Sequence, residues 1–309
     1  MKLSIVTTLF KSTEYIQEFY TRISIEAQKI TQDYEIIFVD DGSPDNSLHK
    51  AVALFETDNR VKVIELSRNF GHHKAAMTGL SHAKGDYIFF IDSDLEEEPE
   101  LLGIFWAELK KNIDMDVIYG VQENRKGGWF EKISGDIFYK IFNKISDIKI
   151  TRNLVAARLT TKNYNQALIL HKERNLFLAG LWSLTGFKQK PVLVKKNFKA
   201  KTTYVFGKKV SLFIESITSF SIFPLKFMLY IGFFISFLSF LFILWIFFKK
   251  IFFNIGIEGW SSLIISIWFI GGIIIMFLGI IGIYISKIFN ETKQRPYTII
   301  RRKYEKNIN

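Results

Sequence analysis

Two long stretches without a charged residue, near the end of the chain, constrain its fold most. Residues 227–248 and 260–286 contain no Asp, Glu, Lys or Arg. Each stretch exceeds the ~20 residues that a helix needs to cross ~30 Å of hydrocarbon. Only residues 249–259 separate them, so the sequence predicts a two-helix transmembrane hairpin within 224–288. A pair of buried core helices is the alternative.

The basic residues predict an orientation for this hairpin. The loop between the two stretches carries two lysines, whereas the region after it carries seven basic residues between positions 287 and 306. The positive-inside bias therefore predicts that the 289–309 tail and the N-terminal domain lie in the cytoplasm, on the inner (plasma) membrane. The 207–223 segment has apolar side chains at helical spacing, which fits either a helix on the membrane surface or an ordinary core helix.

Composition narrows the classes of partner and chemistry. The net charge of +11 favours anionic partners, either phosphorylated substrates or lipid headgroups. Nucleic acid is not expected, because no segment resembles a base-reading module. The chain has no cysteine, which excludes disulfides, thiolate metal sites and cysteine nucleophiles. The first ten residues run directly into a strand pattern, so we expect no signal peptide.

Strand and helix patterns alternate through residues 1–206. Such alternation predicts βαβ units and an α/β domain with a mostly parallel sheet. There is no Gly-x-Gly-x-x-Gly after the first strand and no Gly-Lys-Ser/Thr, which leaves dinucleotide and P-loop chemistry unsupported. The predicted strands are the apolar runs at 3–7, 35–39, 61–65, 87–91 and 116–120.

Acidic side chains follow two of these strands. Asp92 and Asp94 come directly after the apolar run 87–91, and Asp40 and Asp41 end the run 35–39. Ligands of open α/β sheets bind at the carboxyl ends of strands. Residues two apart in an extended chain point the same way, and carboxylate oxygens suit Mg²⁺ or Mn²⁺. We therefore predict a nucleotide-binding edge with a cation bridging to a diphosphate, although an isolated Asp-x-Asp can also be a solvated acidic turn.

Longer motifs carry a family resemblance that extends over nearly the whole chain. Their residues and order resemble the inverting GT-A glycosyltransferases, and more narrowly the polyprenyl-phosphate glycosyltransferases. That group includes dolichol-phosphate mannose synthases and bacterial undecaprenyl-phosphate sugar transferases. The motifs are Val39–Ser47, Ser67–Gly71, Asp92–Glu100, Glu173–Gly180, the two uncharged stretches, and Lys293–Tyr297.

The resemblance implies a role for particular residues. The implied catalytic set is Asp92, Asp94, Arg125 and Arg158. Asp40, Asp41 and Asp92 would bind the nucleotide, Asp94 and Glu96 the metal, and Arg125 and Lys126 the acceptor phosphate.

Several of these residues could also have a purely structural role. Arg125 could instead be a solvated surface residue, and Arg158 could equally form a core salt bridge. His72 and His73 could touch a phosphate at a helix N-terminus, but surface positions in that helix are the favoured interpretation.

The activity that the resemblance implies is transfer of a sugar from a nucleotide-diphosphate donor to a polyprenyl phosphate, with inversion. Such a phosphate is already an anion at neutral pH, so its oxygen needs no general base. One alternative is the same fold extending a lipid-linked or surface polysaccharide at a hydroxyl acceptor. Another is a catalytically dead membrane scaffold. Glycines at 271, 272 and 279 make a homo-oligomer possible.

Overall fold

The computed structural model describes residues 1–122, 140, 142–146, 149–174, 176–195, 217–219, 221–253 and 259–306. It divides into two compact units. The first comprises Met1–Ile141, Ile148–Val205 and Arg295–Asn309, and the second comprises Phe142–Asp147 and Phe206–Gln294.

The first unit is an α/β domain built on one sheet. Its strands are β1 (Leu3–Leu9), β2 (Tyr34–Asp40), β3 (Val61–Leu66), β4 (Tyr87–Phe90), β5 (Val117–Gln122), β6 (Leu154–Thr161), β7 (Gln189–Val194) and β8 (Ile300–Tyr304). Its helices are α1 (Ile16–Ile30), α2 (Ser47–Thr57), α3 (His72–His82), α4 (Leu101–Lys111), α5 (Lys162–Ile169) and α6 (Leu178–Leu184).

The sheet order is β7-β5-β6-β4-β1-β2-β3-β8. Strands β4, β1, β2 and β3 run parallel, as do β5 and β7, whereas β6 and β8 are antiparallel to their neighbours. Every residue of β1 and β2 is buried, as expected for central strands covered on both faces. Helices α1, α2 and α4 pack on one face, and α3, α5 and α6 on the other. The predicted α/β class with a mostly parallel sheet is confirmed.

Strand β8 belongs to a segment that the sequence predicted to be a separate basic tail, 289–309. It pairs antiparallel with β3, with Tyr304 opposite Val63 and Ile300 opposite Leu66. The Tyr304 hydroxyl donates to Glu65 at 3.1 Å, and its ring packs edge-on against Phe55. Only the two ends of this strand are partly buried, and the three basic residues between them are exposed. The sequence therefore resembles a basic tail more than a strand.

The second unit contains two long helices, α7 (Phe223–Phe253) and α8 (Trp260–Thr292). Phe223–Phe242 and Ser266–Thr292 are long and apolar enough to cross a membrane. Within the described residues only 6% and 0% of these segments is buried, whereas core helices of a soluble domain are mostly buried. The predicted pair of apolar helices is therefore confirmed. Most of the proposed 207–223 amphipathic helix lies outside the described residues.

Candidate active site

The Asp-Ser-Asp turn leaves the sheet at the carboxyl end of β4. Ser93 points inward, where its buried hydroxyl donates to the carbonyl of Thr8 at 2.9 Å. Asp92 and Asp94, which flank Ser93, remain partly exposed. The Asp94 carboxylate accepts the backbone N–H of Glu96 at 3.0 Å, and Leu95 between them has a positive φ of 59°. The turn thus directs one side chain into the core and presents two carboxylates at the sheet edge.

Asp40 and Asp41, at the end of β2, have different surroundings although both are 2% exposed. The two oxygens of Asp41 accept the backbone N–H groups of Phe70 (2.7 Å) and Gly71 (3.0 Å). This carboxylate therefore anchors the 68–71 loop, a use that the sequence-based nucleotide-binding role did not anticipate. Burial raises the pKa of Asp41, and those two N–H groups oppose the increase.

Asp40 keeps one acceptor available. Its Oδ2 accepts the backbone N–H of Ser43 at 3.3 Å, whereas its buried Oδ1 has no hydrogen-bond partner among the described residues. Burial raises the pKa of this carboxyl as well. An unsatisfied buried acceptor is costly, and a ligand N–H or O–H group would satisfy it.

The substitution Asp40→Asn is expected to increase the stability of the fold and to weaken nucleotide binding. Because burial raises the pKa of Asp40, the ionised side chain costs folding free energy as pH rises through that pKa. We expect Asp40→Asn to raise the melting temperature at pH 7, by the equivalent of ~1–2 kcal/mol, and to do so much less at pH 4. It should also weaken nucleotide binding. Thermal unfolding and calorimetric titration with UDP and GDP check both effects; a pH-independent loss of stability would contradict the argument.

His72 is exposed, as the favoured sequence interpretation predicted, but its contacts with two strand ends could not be read from the sequence. It is the first residue of α3, which begins after Gly71, whose φ is 97°. One ring nitrogen, Nδ1, lies 3.0 Å from the Thr8 hydroxyl, and Nε2 lies 3.5 Å from Asp92 Oδ1. The side chain is 44% exposed, so the ring forms part of the site wall. The ring of the adjacent His73 lies edge-on to that of His72, with the centroids 5.7 Å apart, and its Nδ1 lies 3.0 Å from the carbonyl of Leu176.

Arg158 lies beneath the site. It is on β6, opposite Phe90 of β4, and is 1% exposed. Its guanidinium stacks 3.0 Å from the ring centre of Trp182, and burial lowers its pKa to about 10. The two terminal nitrogens meet no hydrogen-bond partner of good geometry among the described residues. Arg158 is thus a buried cation in the layer under the Asp-Ser-Asp turn.

Glu97 binds the backbone of β6 just before Arg158. It is 1% exposed, and its oxygens accept the backbone N–H groups of Ala156 (2.9 Å) and Ala157 (2.6 Å). It also exerts an attractive electrostatic effect on Arg158. The middle residue of the Glu96–Glu98 run is therefore structural, whereas Glu96 stays partly exposed. The predicted phosphate-binding pair, Arg125 and Lys126, lies outside the described residues.

The described carboxylates fit a cation that is shared with a substrate. No three acidic or histidine side chains converge as a metal cluster within the part of the chain that the structure describes. Mg²⁺ commonly binds through one or two carboxylates together with substrate phosphates and water, however. Asp92 and Asp94 supply such a partial set at an open edge, so they fit a metal that arrives with a diphosphate.

Comparison with known proteins identifies the family. The family model "Glycosyl transferase family 2" matches residues 4–174. A Mycobacterium tuberculosis (strain CDC 1551 / Oshkosh) protein named as a glycosyltransferase is 49% identical over 98% of this chain and 89% of its own length. The "Prophage bactoprenol glucosyl transferase homolog" of Escherichia coli (strain K12) is 35% identical, covering 98% of this chain and 99% of that protein.

A third relative extends the match to both ends of this chain. The "Bactoprenol glucosyl transferase" of Shigella phage SfV is 34% identical over 99% of this chain and 100% of its own length. The alignment thus includes the acidic sheet edge, the two apolar helices and strand β8. The resemblance that the motifs carry is confirmed, and the chain belongs to glycosyl transferase family 2, as a glycosyltransferase with a GT-A fold.

Proposed function

We propose that this glycosyltransferase moves a sugar from a nucleotide-diphosphate donor to a polyprenyl phosphate, with inversion and with Mg²⁺ or Mn²⁺. The observation that carries the proposal is that one chain combines an acidic sheet edge suited to a nucleotide diphosphate with two exposed apolar helices. The full-length similarity to proteins named bactoprenol glucosyl transferases supports the lipid acceptor.

The residues of the site would divide the work between recognition and catalysis. The buried Oδ1 of Asp40, which has no partner among the residues that the structure describes, would accept an N–H or O–H group of the nucleoside. Asp92 and Asp94 would hold the cation against the diphosphate and orient the sugar. The cation, when bound, would act as a Lewis acid on the leaving diphosphate. These roles place the donor along the carboxyl ends of β2 and β4.

The acceptor needs less from the protein than a hydroxyl would. A phosphate monoester is ionised at neutral pH, so its oxygen can attack without a general base. Attack on the face opposite the leaving diphosphate inverts the anomeric centre. We assign the acceptor phosphate to Arg125 and Lys126, because a guanidinium pairs well with phosphate oxygens. The basic residues after α8 favour a cytoplasmic catalytic domain and cytoplasmic termini.

The test uses the purified full-length chain in detergent with undecaprenyl phosphate, Mn²⁺ or Mg²⁺, and a panel of UDP and GDP sugars. Mass spectrometry would detect the lipid-linked product. We expect product with the wild type and none with EDTA. For Asp94→Ala we expect a loss of about 1000-fold or more, since a Lewis acid contributes several kcal/mol to the transition state.

Asp114→Ala is the matched control, because Asp114 is an 83% exposed carboxylate whose nearby cation is Lys188 at 3.9 Å. This variant should retain wild-type transfer. Transfer to a hydroxyl acceptor, with undecaprenyl phosphate left unused, would overturn the lipid-phosphate proposal in favour of glycan extension. Tight binding of nucleotide and metal without turnover of any donor would favour the scaffold alternative.

A further inference from the structure

We propose that His72 is a positioning residue that orients Asp92 for donor binding, with Thr8 fixing the state of its ring. This inference rests on the proposed function and deepens the description of the same site. His72 contacts both partners at once: Nδ1 lies 3.0 Å from Thr8 Oγ1, and Nε2 lies 3.5 Å from Asp92 Oδ1. The imidazole therefore bridges the ends of β1 and β4.

Hydrogen-bonding chemistry assigns a direction to this bridge. An ionised carboxylate can only accept, so the nitrogen that faces Asp92 must carry a proton. In the neutral ring the other nitrogen is then an acceptor, and the Thr8 hydroxyl can donate to it. The arrangement favours the Nε2–H tautomer, with Nε2–H turned toward Asp92 Oδ1. At 3.5 Å the pair is a close contact and not a formed hydrogen bond; catalytic contacts of this kind often tighten only when a substrate binds.

The backbone around His72 is fixed by neighbouring strands. Asp41 accepts the N–H groups of Phe70 and Gly71 immediately before α3. Ser93 ties the Asp-Ser-Asp turn to the carbonyl of Thr8, the residue whose hydroxyl meets the imidazole. Asp41 and Asp94 also act electrostatically on His72. The first turn of α3 is therefore held against three strand ends, which is the rigidity that a positioning residue requires.

His73 provides an internal control for a merely structural role. It occupies the same helical turn, but Nδ1 lies 3.0 Å from the carbonyl of Leu176 and its ring is 6.1 Å from the ring of Phe177. A variant of His73 perturbs the start of α3 without touching Asp92. If His72 only stabilised this turn, the two histidines would respond alike in a binding assay.

The first measurement observes the ring directly and needs no substrate. Nitrogen NMR of ¹⁵N-histidine-labelled full-length chain in detergent reports the protonation of each ring nitrogen. We expect His72 to carry its proton on Nε2, to lose that preference in Asp92→Asn and in Thr8→Val, and to keep it in His73→Gln, whatever shift the loss of the neighbouring ring causes. A proton on Nδ1, or signals indifferent to Asp92→Asn, would overturn the inference.

The second measurement is calorimetric titration with UDP or GDP in the presence of Mn²⁺. We expect His72→Ala to weaken binding by about 10-fold, the lower end of the effect of losing a residue that orients a metal-binding group. His72→Gln should recover much of this loss, because its amide N–H can replace Nε2–H. His73→Gln should bind like the wild type. Thr8→Val should weaken binding less than His72→Ala and add little to it in the double variant.

Two outcomes separate this inference from the proposed function. Equal binding by wild type and His72→Ala, or an equal loss in His73→Gln, would overturn the positioning role while leaving a nucleotide-dependent transferase intact. A wild type that binds neither nucleotide would instead overturn the proposed function. In that case the ring-nitrogen signals still decide whether His72 orients Asp92.

Discussion

Replacement of Glu97 by alanine is expected to lower the thermal unfolding midpoint by about 10 °C, the equivalent of ~3–5 kcal/mol. The substitution leaves the N–H groups of Ala156 and Ala157 without their acceptor inside the protein. It also removes a negative charge that offsets the buried guanidinium of Arg158. Each unsatisfied buried donor costs ~1–3 kcal/mol, and an uncompensated buried charge costs more.

Differential scanning fluorimetry of the full-length chain in detergent measures this effect. Glu97→Gln should lose roughly half as much, because its amide oxygen still accepts one N–H group. Glu98→Ala is the control, since it removes a carboxylate from the next position of the same acidic run. A melting temperature for Glu97→Ala equal to that of Glu98→Ala would show that the two backbone hydrogen bonds contribute little.

The substitution Gly42→Ala is expected to disrupt the site, although it adds only one methyl group. Gly42 has a φ of 65°, and a Cβ there would lie 2.5 Å from the backbone nitrogen of Asn69 and 2.6 Å from the carbonyl carbon of Arg68. Backbone atoms cannot rotate away, so the 68–71 loop must move. That loop leads into His72 and is anchored by Asp41. We expect nucleotide affinity to fall at least about 10-fold and stability by ~2–3 kcal/mol.

Gly186→Ala separates the two causes of this effect. Gly186 has a similar φ of 71°, but no atom of the described residues lies within 4 Å of the position of an added Cβ. It should therefore show only the cost of the left-handed conformation, ~1 kcal/mol, with unchanged nucleotide binding. Calorimetric titration and thermal unfolding of both variants provide the comparison. Equal losses of stability and nucleotide affinity in Gly42→Ala and Gly186→Ala would show that the close approach of the 68–71 loop is not the reason for glycine at position 42.

The features that the sequence predicted are those written in local patterns. Uninterrupted apolar runs predict buried strands such as β2, and carboxylates placed directly after those runs predict an acidic sheet edge. The apolar helices follow from length and composition alone. Family motifs then supply an activity class that no single tripeptide supports. These inferences need only neighbouring residues, which is why they could be made before the structure was known.

The features that it did not predict depend on contacts between distant segments. Asp40 and Asp41 are adjacent and chemically identical. Only the position of the 68–71 loop makes Asp41 an anchor, while one oxygen of Asp40 meets no hydrogen-bond partner in the described part of the chain. Glu97 resembles its acidic neighbours until β6 is placed beside it. His72 lies at the surface as predicted, and only the fold brings the ends of β1 and β4 to its ring.

Strand β8 has a consequence for how this protein is made. The outer edge of β3 finds its partner only in Ile300–Tyr304, which leave the ribosome after both apolar helices have been synthesised. Strand β3 is therefore an edge strand throughout the period in which a membrane hairpin would insert. An unprotected edge strand is a site of aggregation, and the charged strand β8 replaces β3 at this edge. Synthesis of the enzyme thus has a fixed order, in which β8 covers β3 only after the hairpin has been made.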